Sequence, residues 1–264
     1  DTGVDSLESM VSCEIVGGSV PAGTGRCSGK ILERCGGDGL WMKERSCVIG
    51  CDGTECVTTR SLSAMGNAVC ALLSDGSVQC WGNNGAGQLG DGTTYPRLSP
   101  TAARLPRRAK QLSCRDSTCC AVLVDDSVVC WGRGDYDQIG DNGGVDRLLP
   151  TAIGLNGVRL VRGGPYHSCA AMNDGTGRCW GYNYNGRLGD GTEQSRGLPV
   201  KVADLSQAID IQTGLAATCA ILQSQVVECW GSNGNGFLVP GRTDVSLLGP
   251  TVVPRMVAME IGMG

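Results

Sequence analysis

Cys70-Ala71-Leu72-Leu73-Ser74-Asp75-Gly76-Ser77-Val78-Gln79-Cys80-Trp81-Gly82 decides the fold, because it reads as a self-stapled hairpin and it recurs along the chain. The apolar run Ala71-Leu72-Leu73 leads into Ser74-Asp75-Gly76, and Ser77-Val78-Gln79 leads out again. A three-residue hairpin loop needs its third residue in the left-handed region, which Gly76 enters without steric cost. Other copies hold Asp126, Gly175 and Gln225 there; Asp tolerates that conformation and Gln fits it less well. With this loop Leu73 pairs with Ser77, so Cys70 falls opposite Cys80 in a non-hydrogen-bonded pair. Its α-carbons should lie about 4.5 Å apart, at the short end of disulfide reach. Each copy is thus expected to carry a cross-strand bridge, contributing roughly 2.5–3 kcal/mol on the chain-entropy model.

Working outward, Cys-Trp-Gly stands at Cys80-Trp81-Gly82, Cys130-Trp131-Gly132, Cys179-Trp180-Gly181 and Cys229-Trp230-Gly231, at spacings of 50, 49 and 50 residues. Ten residues before each triplet cysteine stands another, Cys70, Cys120, Cys169 or Cys219. A fixed period of this length marks a repeat architecture. After each triplet comes a turn-rich arm, such as Asn83 to Thr93, then a strand bearing Pro100, Pro150, Pro199 or Pro250. Before each next hairpin lies an alternating strand, with Leu160 and Arg162 or Ile209, Asp210 and Ile211. Four short strands per repeat make one propeller blade. The expected fold is therefore all-β: a β-propeller of four complete blades and the start of a fifth. The blades run roughly over 58–107, 108–157, 158–206 and 207–256, with a partial fifth from 257, behind a cysteine-rich module at 1–57.

The segment Gly87-Gln88-Leu89-Gly90-Asp91-Gly92-Thr93, the preceding Asn83, and His167-Ser168-Cys169-Ala170 resemble the regulator-of-chromosome-condensation repeat. The resemblance covers about Thr58 to Gly264 and implies a propeller, commonly of seven blades. The cysteine bracket looks like the variant found in secreted bacterial members. The family includes exchange factors, a photoreceptor and an enzyme inhibitor, so the resemblance fixes fold far better than function. Met259, Ile261 and Gly264 align with Ile209, Ile211 and Gly214, which reads as an N-terminal portion whose remaining blades lie beyond Gly264. The alternative is a short propeller completed by a neighbouring copy.

Composition agrees with short strands and tight turns: 42 of 264 residues are Gly, and aromatics make up only 4%. The net charge of −4 argues against nucleic acid as a partner. The densest basic run, Arg104, Arg107, Arg108 and Lys110, reads as a solvated loop. No apolar stretch is long enough for a membrane span. The start at Asp1, without Met or an apolar leader, reads as a mature or excised product.

Sixteen cysteines with a single histidine fit disulfides in an oxidising compartment, hence a secreted or cell-surface location. Cys13, Cys27, Cys35, Cys47, Cys51 and Cys56 would staple the small module with three bridges, in one of 15 connectivities. The competing reading is zinc held by Cys47, Cys51 and Cys56 with one more thiolate. Cys114 and Cys119 are extra to the repeat, where the third copy has Gly163 and Ser168, and their short separation suggests a local loop bridge. All sixteen then pair, and no metal, cofactor or nucleophilic cysteine is expected.

The repeats also serve as an internal alignment. Asp91, Asp141 and Asp190 stand 11 residues after the triplet cysteine, and Arg97, Arg147 and Arg196 stand 17 after it. The fourth copy has Pro240, and Ser246 or Leu247, at these places, so both partners vanish together. That points to a structural ion pair holding each arm. Calcium would want several oxygen ligands, and Gly-Asp-Gly-Thr offers one carboxylate. His167 reads as a structural hydrogen-bonding residue, and the four triplet tryptophans as blade packing. Three tyrosines do not recur: Tyr136, Tyr182 and Tyr184, all in arm loops that should emerge on one face. With Asp135, Asp137 and Arg187 they form the candidate partner-binding patch, against the alternative that they merely cover blade edges.

No catalytic constellation is expected. The expected function is a non-enzymatic extracellular or cell-surface protein whose propeller is a protein-interaction scaffold or a subunit of a surface assembly. The alternative is a secreted inhibitor or ligand-binding module acting on one soluble target protein.

Overall fold

The computed structural model describes residues 14–15, 18–19, 25–28, 30–35, 41–47, 49–52, 55–234, 238 and 246–252. Cys13, Pro240 and the partial fifth blade with Met259, Ile261 and Gly264 lie outside the described residues. The chain divides into two compact units, 1–60 with 73–75, and 61–72 with 76–264. The tip of the first hairpin counts with the first unit because Ser74 N–H donates to the Thr58 carbonyl at 2.8 Å, and Thr58 N–H to Ser74 Oγ at 3.0 Å.

The first unit contains the short pair β1 (Glu14–Ile15) and β2 (Gly18–Ser19). It also holds a three-stranded antiparallel sheet of β3 (Gly25–Ser28), β4 (Ile31–Cys35) and β5 (Trp41–Ser46), and the pair β6 (Cys51–Asp52) and β7 (Glu55–Cys56). So small a segment buries only Leu32, Val57 and two half-cystines, Cys35 and Cys47, among its described apolar side chains, and it leans on staples. Cys27 bridges Cys51 and Cys47 bridges Cys56. Cys35 is disulfide-bonded as well. The thiolates that zinc would need are thus spent in bridges.

The second unit is built from four antiparallel sheets, each strand pairing with its sequence neighbours. Blade one is β8 (Thr59–Met65), β9 (Ala68–Leu73), β10 (Val78–Gly82) and β11 (Arg97–Ala102). Blade two is β12 (Ala109–Arg115), β13 (Thr118–Leu123), β14 (Val128–Gly132) and β15 (Arg147–Ala152). Blade three is β16 (Val158–Arg162), β17 (His167–Met172), β18 (Gly177–Gly181) and β19 (Arg196–Lys201). Blade four is β20 (Ala208–Thr213), β21 (Ala217–Leu222), β22 (Val227–Ser232) and β23 (Ser246–Val252). The prolines sit in the fourth strand of each blade, an edge position where a missing N–H costs no ladder bond.

The hairpin register is the one the loop dictates. Cys70 pairs with Cys80, Cys120 with Cys130, Cys169 with Cys179 and Cys219 with Cys229. All four pairs are bridged across α-carbons 4.1 Å apart. The third loop residues Gly76, Asp126, Gly175 and Gln225 all have φ between 65° and 82°. Cys114 and Cys119 are bridged too, but not in a loop: they face each other across β12 and β13, either side of the tight turn at Asp116 and Ser117. Because the second residue of β13 lies opposite the sixth of β12, a local spacing here becomes a cross-strand one.

The glycine of each Cys-Trp-Gly marks a bulge, where the third strand slips register against the fourth. A Cβ on Gly132 would lie 2.1 Å from the Ser117 carbonyl oxygen, so only glycine lets the arm leave there.

The apolar core lies between blades. One buried cluster joins blades one and two through Leu72, Leu89, Leu123 and Trp131. A second joins blades two and three through Val122, Ile139, Val161 and Trp180. A third joins blades three and four through Leu188, Ile211 and Trp230. At each junction the arm of one blade receives the tryptophan of the next. The indole Nε1–H groups of Trp131, Trp180 and Trp230 donate to the carbonyls of Gln88, Gln138 and Arg187 at 3.0, 2.9 and 3.0 Å. The glycine two residues on lies flat against the ring: a Cβ on Gly140 would come within 2.6 Å of Trp180 Nε1. Trp81 has no upstream arm among the described residues and is only half-buried, and Leu98 on the same blade is fully exposed.

Candidate functional site

The arms of blades one and three are each held by one buried network. In blade three Asn183, fully buried, donates its amide to Asp190 Oδ1 at 3.1 Å and to the carbonyls of Thr192 and Gln194 at 3.0 Å each. Its oxygen accepts from Leu188 N–H at 2.8 Å. Asp190 in turn caps Thr192 and accepts from Arg196 Nε at 3.0 Å. Burial pushes the Asp190 carboxyl up, but the bonds from Thr192, Arg196 and Asn183 outweigh it and leave the acid below its ordinary value. Asn84, Asp91, Thr93 and Arg97 repeat the arrangement in blade one, with Arg97 2.7 Å from Asp91. In blade two Asp141 pairs with Arg147, and Gly134 replaces the asparagine. The buried member is Asn84, not Asn83, which is exposed; the recurrence of Asn183 and Asn233 was the sequence signal. The double change Asp190→Ala with Arg196→Ala should cost about 1 kcal/mol less than the sum of the single changes, measured by denaturant unfolding. Additive losses would mean that the two do not interact.

Anchored in this way, the arms of blades two and three bring the tyrosines together. Tyr136 lies 5.6 Å from Tyr182 between ring centroids, and Tyr182 stacks near-parallel on Tyr184 at 6.3 Å. Tyr166, which precedes His167, completes the cluster, edge-on to Tyr136 at 4.9 Å and 6.4 Å from Tyr182. Sequence reading passed over it, although Asn67, Ser117 and Ala216 at its equivalent places show that it does not recur either. Tyr182 and Tyr184 are exposed, Tyr184 by 59%.

Arg187 belongs to the cluster but not to its surface. It is only 4% exposed, with its guanidinium 5.0 Å from the Tyr182 ring centre and 5.8 Å from Tyr166. Nε donates to the Tyr184 carbonyl at 2.9 Å and Nη1 to Leu215 at 2.7 Å, and no carboxylate among the described residues forms an ion pair with it. Burial lowers its pKa; two aromatic faces and two carbonyls solvate the charge. Its role is to post the tyrosines from beneath. At the rim, Asp135 grips Arg133 through two bonds of 2.8 and 2.7 Å, and Arg133 lies 5.4 Å from the Tyr136 ring centre. Burial raises the Asp135 carboxyl, but Arg133 and Gln138 outweigh it; Asp135 keeps Arg133 raised in turn.

His167 lies below, fully buried. The Thr218 hydroxyl donates to the Arg187 carbonyl at 2.9 Å, so its oxygen accepts from His167 Nε2 at 2.7 Å. The ring is therefore the neutral Nε2–H tautomer, and Nδ1 meets no partner in the structure. Burial, then the charges of Arg187 and Arg115, pull its pKa down to about 3.

Other candidates resolve into structure. Cys70, Cys114 and Cys119 hold their sulfurs within 4.8 Å of one another, but all three are in bridges and offer no thiolate to a metal. In the basic run, Arg107 pairs with Asp125 at 3.2 Å and Lys110 with Asp126. No helix among the described residues is long and apolar enough to cross a membrane.

Two models of the Regulator of chromosome condensation (RCC1) repeat match the chain, one over residues 75–122 and 179–221, the other over 61–88 and 158–187. No curated protein sequence matches it. Among solved structures, human WBSCR16 is similar at a TM-score of 0.66 and 23% identity, over 77% of this chain and 54% of that one. Prp20p of Saccharomyces cerevisiae, described with binding properties to Gsp1p and histones, is similar at 0.67 and 19% identity, over 87% and 60%. The same yeast protein has been solved with Kap60 bound, at 0.67 and 19%, over 87% and 58%. The chain thus spans 54–60% of the length of these relatives, and the likeness is one of fold.

Proposed function

The chain is a β-propeller repeat protein of the regulator-of-chromosome-condensation type, and from that premise we propose that it is a non-enzymatic interaction scaffold of the extracellular space or cell surface. The observation that carries this reading is the cluster of Tyr136, Tyr166, Tyr182 and Tyr184 over a buried Arg187. Tyrosine gives rigid contact area with a hydrogen-bonding tip at small entropic cost, which is why it concentrates where proteins meet. The rings are held by arms pinned by ion pairs, with a buried asparagine network in blade three, so the face is preorganised. Fold relatives that bind proteins are compatible with the same use of a propeller. Bridges in every described blade suit an oxidising compartment, which supports secretion.

Changing Tyr182 and Tyr184 together to Ala tests this. Cross-linked recovery of the natural partner should fall at least tenfold while the chain stays folded, its melting temperature falling by no more than about 4 °C as Arg187 loses one of its two aromatic faces. Unchanged recovery rejects the face as the contact surface.

A second reading has its own observation. Blade one presents a half-buried Trp81 and a fully exposed Leu98, the same positions that seat against an upstream arm at the other three junctions. That face suits end-to-end stacking of repeats, as a subunit of a surface assembly would use it.

A further inference from the structure

The first strands of the four blades run side by side and are stitched by side chains rather than by a sheet ladder. Ser63 Oγ accepts from Cys114 N–H at 2.9 Å, and Ser113 Oγ accepts from Gly163 N–H at 3.2 Å. Gln111 both donates to the Val161 carbonyl and accepts from its N–H, at 3.0 and 3.1 Å. Such strands leave a gap where their side chains are small. The gap is an open cavity of about 420 Å³, whose lining includes Ser63, Ser113, Arg115, Arg162, Gln212 and Thr213.

The charge of that lining is one-sided. Two guanidiniums face the cavity and no lining residue is acidic. Arg162 is balanced by Asp210 at 2.9 Å, and Asp210 is also held by Gln212 at 3.2 Å. Arg115 has no such balance. It reaches from blade two to the Thr213 carbonyl of blade four, and no carboxylate among the described residues forms an ion pair with it. An exposed guanidinium with a single carbonyl partner keeps most of its five donors for something else. Around it the Ser113 hydroxyl, already an acceptor, still has its proton to give. The charge of Arg115 makes the local field positive, even in a chain whose net charge is −4.

We propose that this cavity is a binding site for a small oxyanion ligand, a carboxylate or phosphate, taken by Arg115 with Arg162 and the Ser113 hydroxyl beside it. Planar guanidinium matches both groups in a two-point fork. The site is separate from the tyrosine cluster and does not depend on it.

The test is calorimetric titration of the purified chain at low salt, with inorganic phosphate and with citrate as probes. At least one probe should bind saturably at a single site; preference for phosphate marks a phosphorylated ligand, and preference for citrate a carboxylate one. Arg115→Gln should weaken binding at least tenfold, Arg115→Lys by clearly less, and Arg159→Gln, which removes an exposed charge elsewhere, should leave it unchanged. Saturable binding of neither probe overturns the proposal. Equal weakening by Arg115→Gln and Arg159→Gln also overturns it, because the effect would then be one of net charge.

Discussion

Between pH 7 and pH 4.5 the folded chain should lose about 2.5 kcal/mol of stability through one residue, His167. The group has a pKa of about 3 when folded and 6.5 as a free side chain. Above 6.5 both states hold it neutral and it contributes no pH dependence. As pH falls through 6.5 the unfolded chain takes up a proton that the folded chain refuses, so stability falls by up to about 1.4 kcal/mol per unit until about pH 3. The carboxyls of Asp91 and Asp190, held below their ordinary value of 3.8, act in the same direction, but only further into acid. The window above pH 4.5 therefore belongs to the chain's single histidine. Urea unfolding across this range reads the slope directly. His167→Gln keeps an N–H for Thr218 and cannot titrate, so its profile should be nearly flat. Parallel slopes for the two proteins would show that His167 is not the buried neutral ring described.

The other large effect is Trp180→Ala, with an expected loss of about 3–5 kcal/mol. The indole is fully buried between blades two and three, donates to the Gln138 carbonyl at 2.9 Å and rests on Gly140. Its removal leaves a cavity that two disulfide-braced sheets cannot close, because their backbones are pinned on both sides of the gap. Trp81→Ala is the internal control: the same residue of the same repeat, half-buried and without an upstream arm, should cost no more than about half as much. Equal losses would mean that the tryptophans stabilise their own blades and not the junctions between them.

The contrast also explains what could be read in the sequence. A period of about 50 residues makes the chain its own alignment, so much of what recurs was visible: the bridged hairpins, the left-handed loop residue, the proline-bearing strands and the Asp–Arg pairs, though Asn83 was named in place of the recurring Asn84, Asn183 and Asn233. The contacts behind these residues were not visible. The triplet glycine is fixed by a carbonyl 2.1 Å from where its Cβ would stand at Gly132, an approach made by a residue 15 positions earlier. Arg187 looks like a surface charge in a loop sequence, and only the packing of three tyrosines and the Leu215 carbonyl puts it underneath. The Cys114–Cys119 bridge was legible as a pair but not as a cross-strand one, since that depends on where the turn falls. The oxyanion cavity was invisible: Ser63, Ser113, Arg162 and Gln212 hold one position of four repeats, seven before the hairpin cysteine, and share no chemistry that would mark it.

The proposed function has the propeller hold another molecule on its tyrosine face. Light scattering after gel filtration, on the natively isolated particle with the subunit mass measured alongside, tests that most directly. The wild type should run as a uniform complex heavier than its subunit, and the chain with Tyr182→Ala and Tyr184→Ala should run at the subunit mass while remaining folded. A wild type that runs alone, or a variant that keeps the complex, would contradict it.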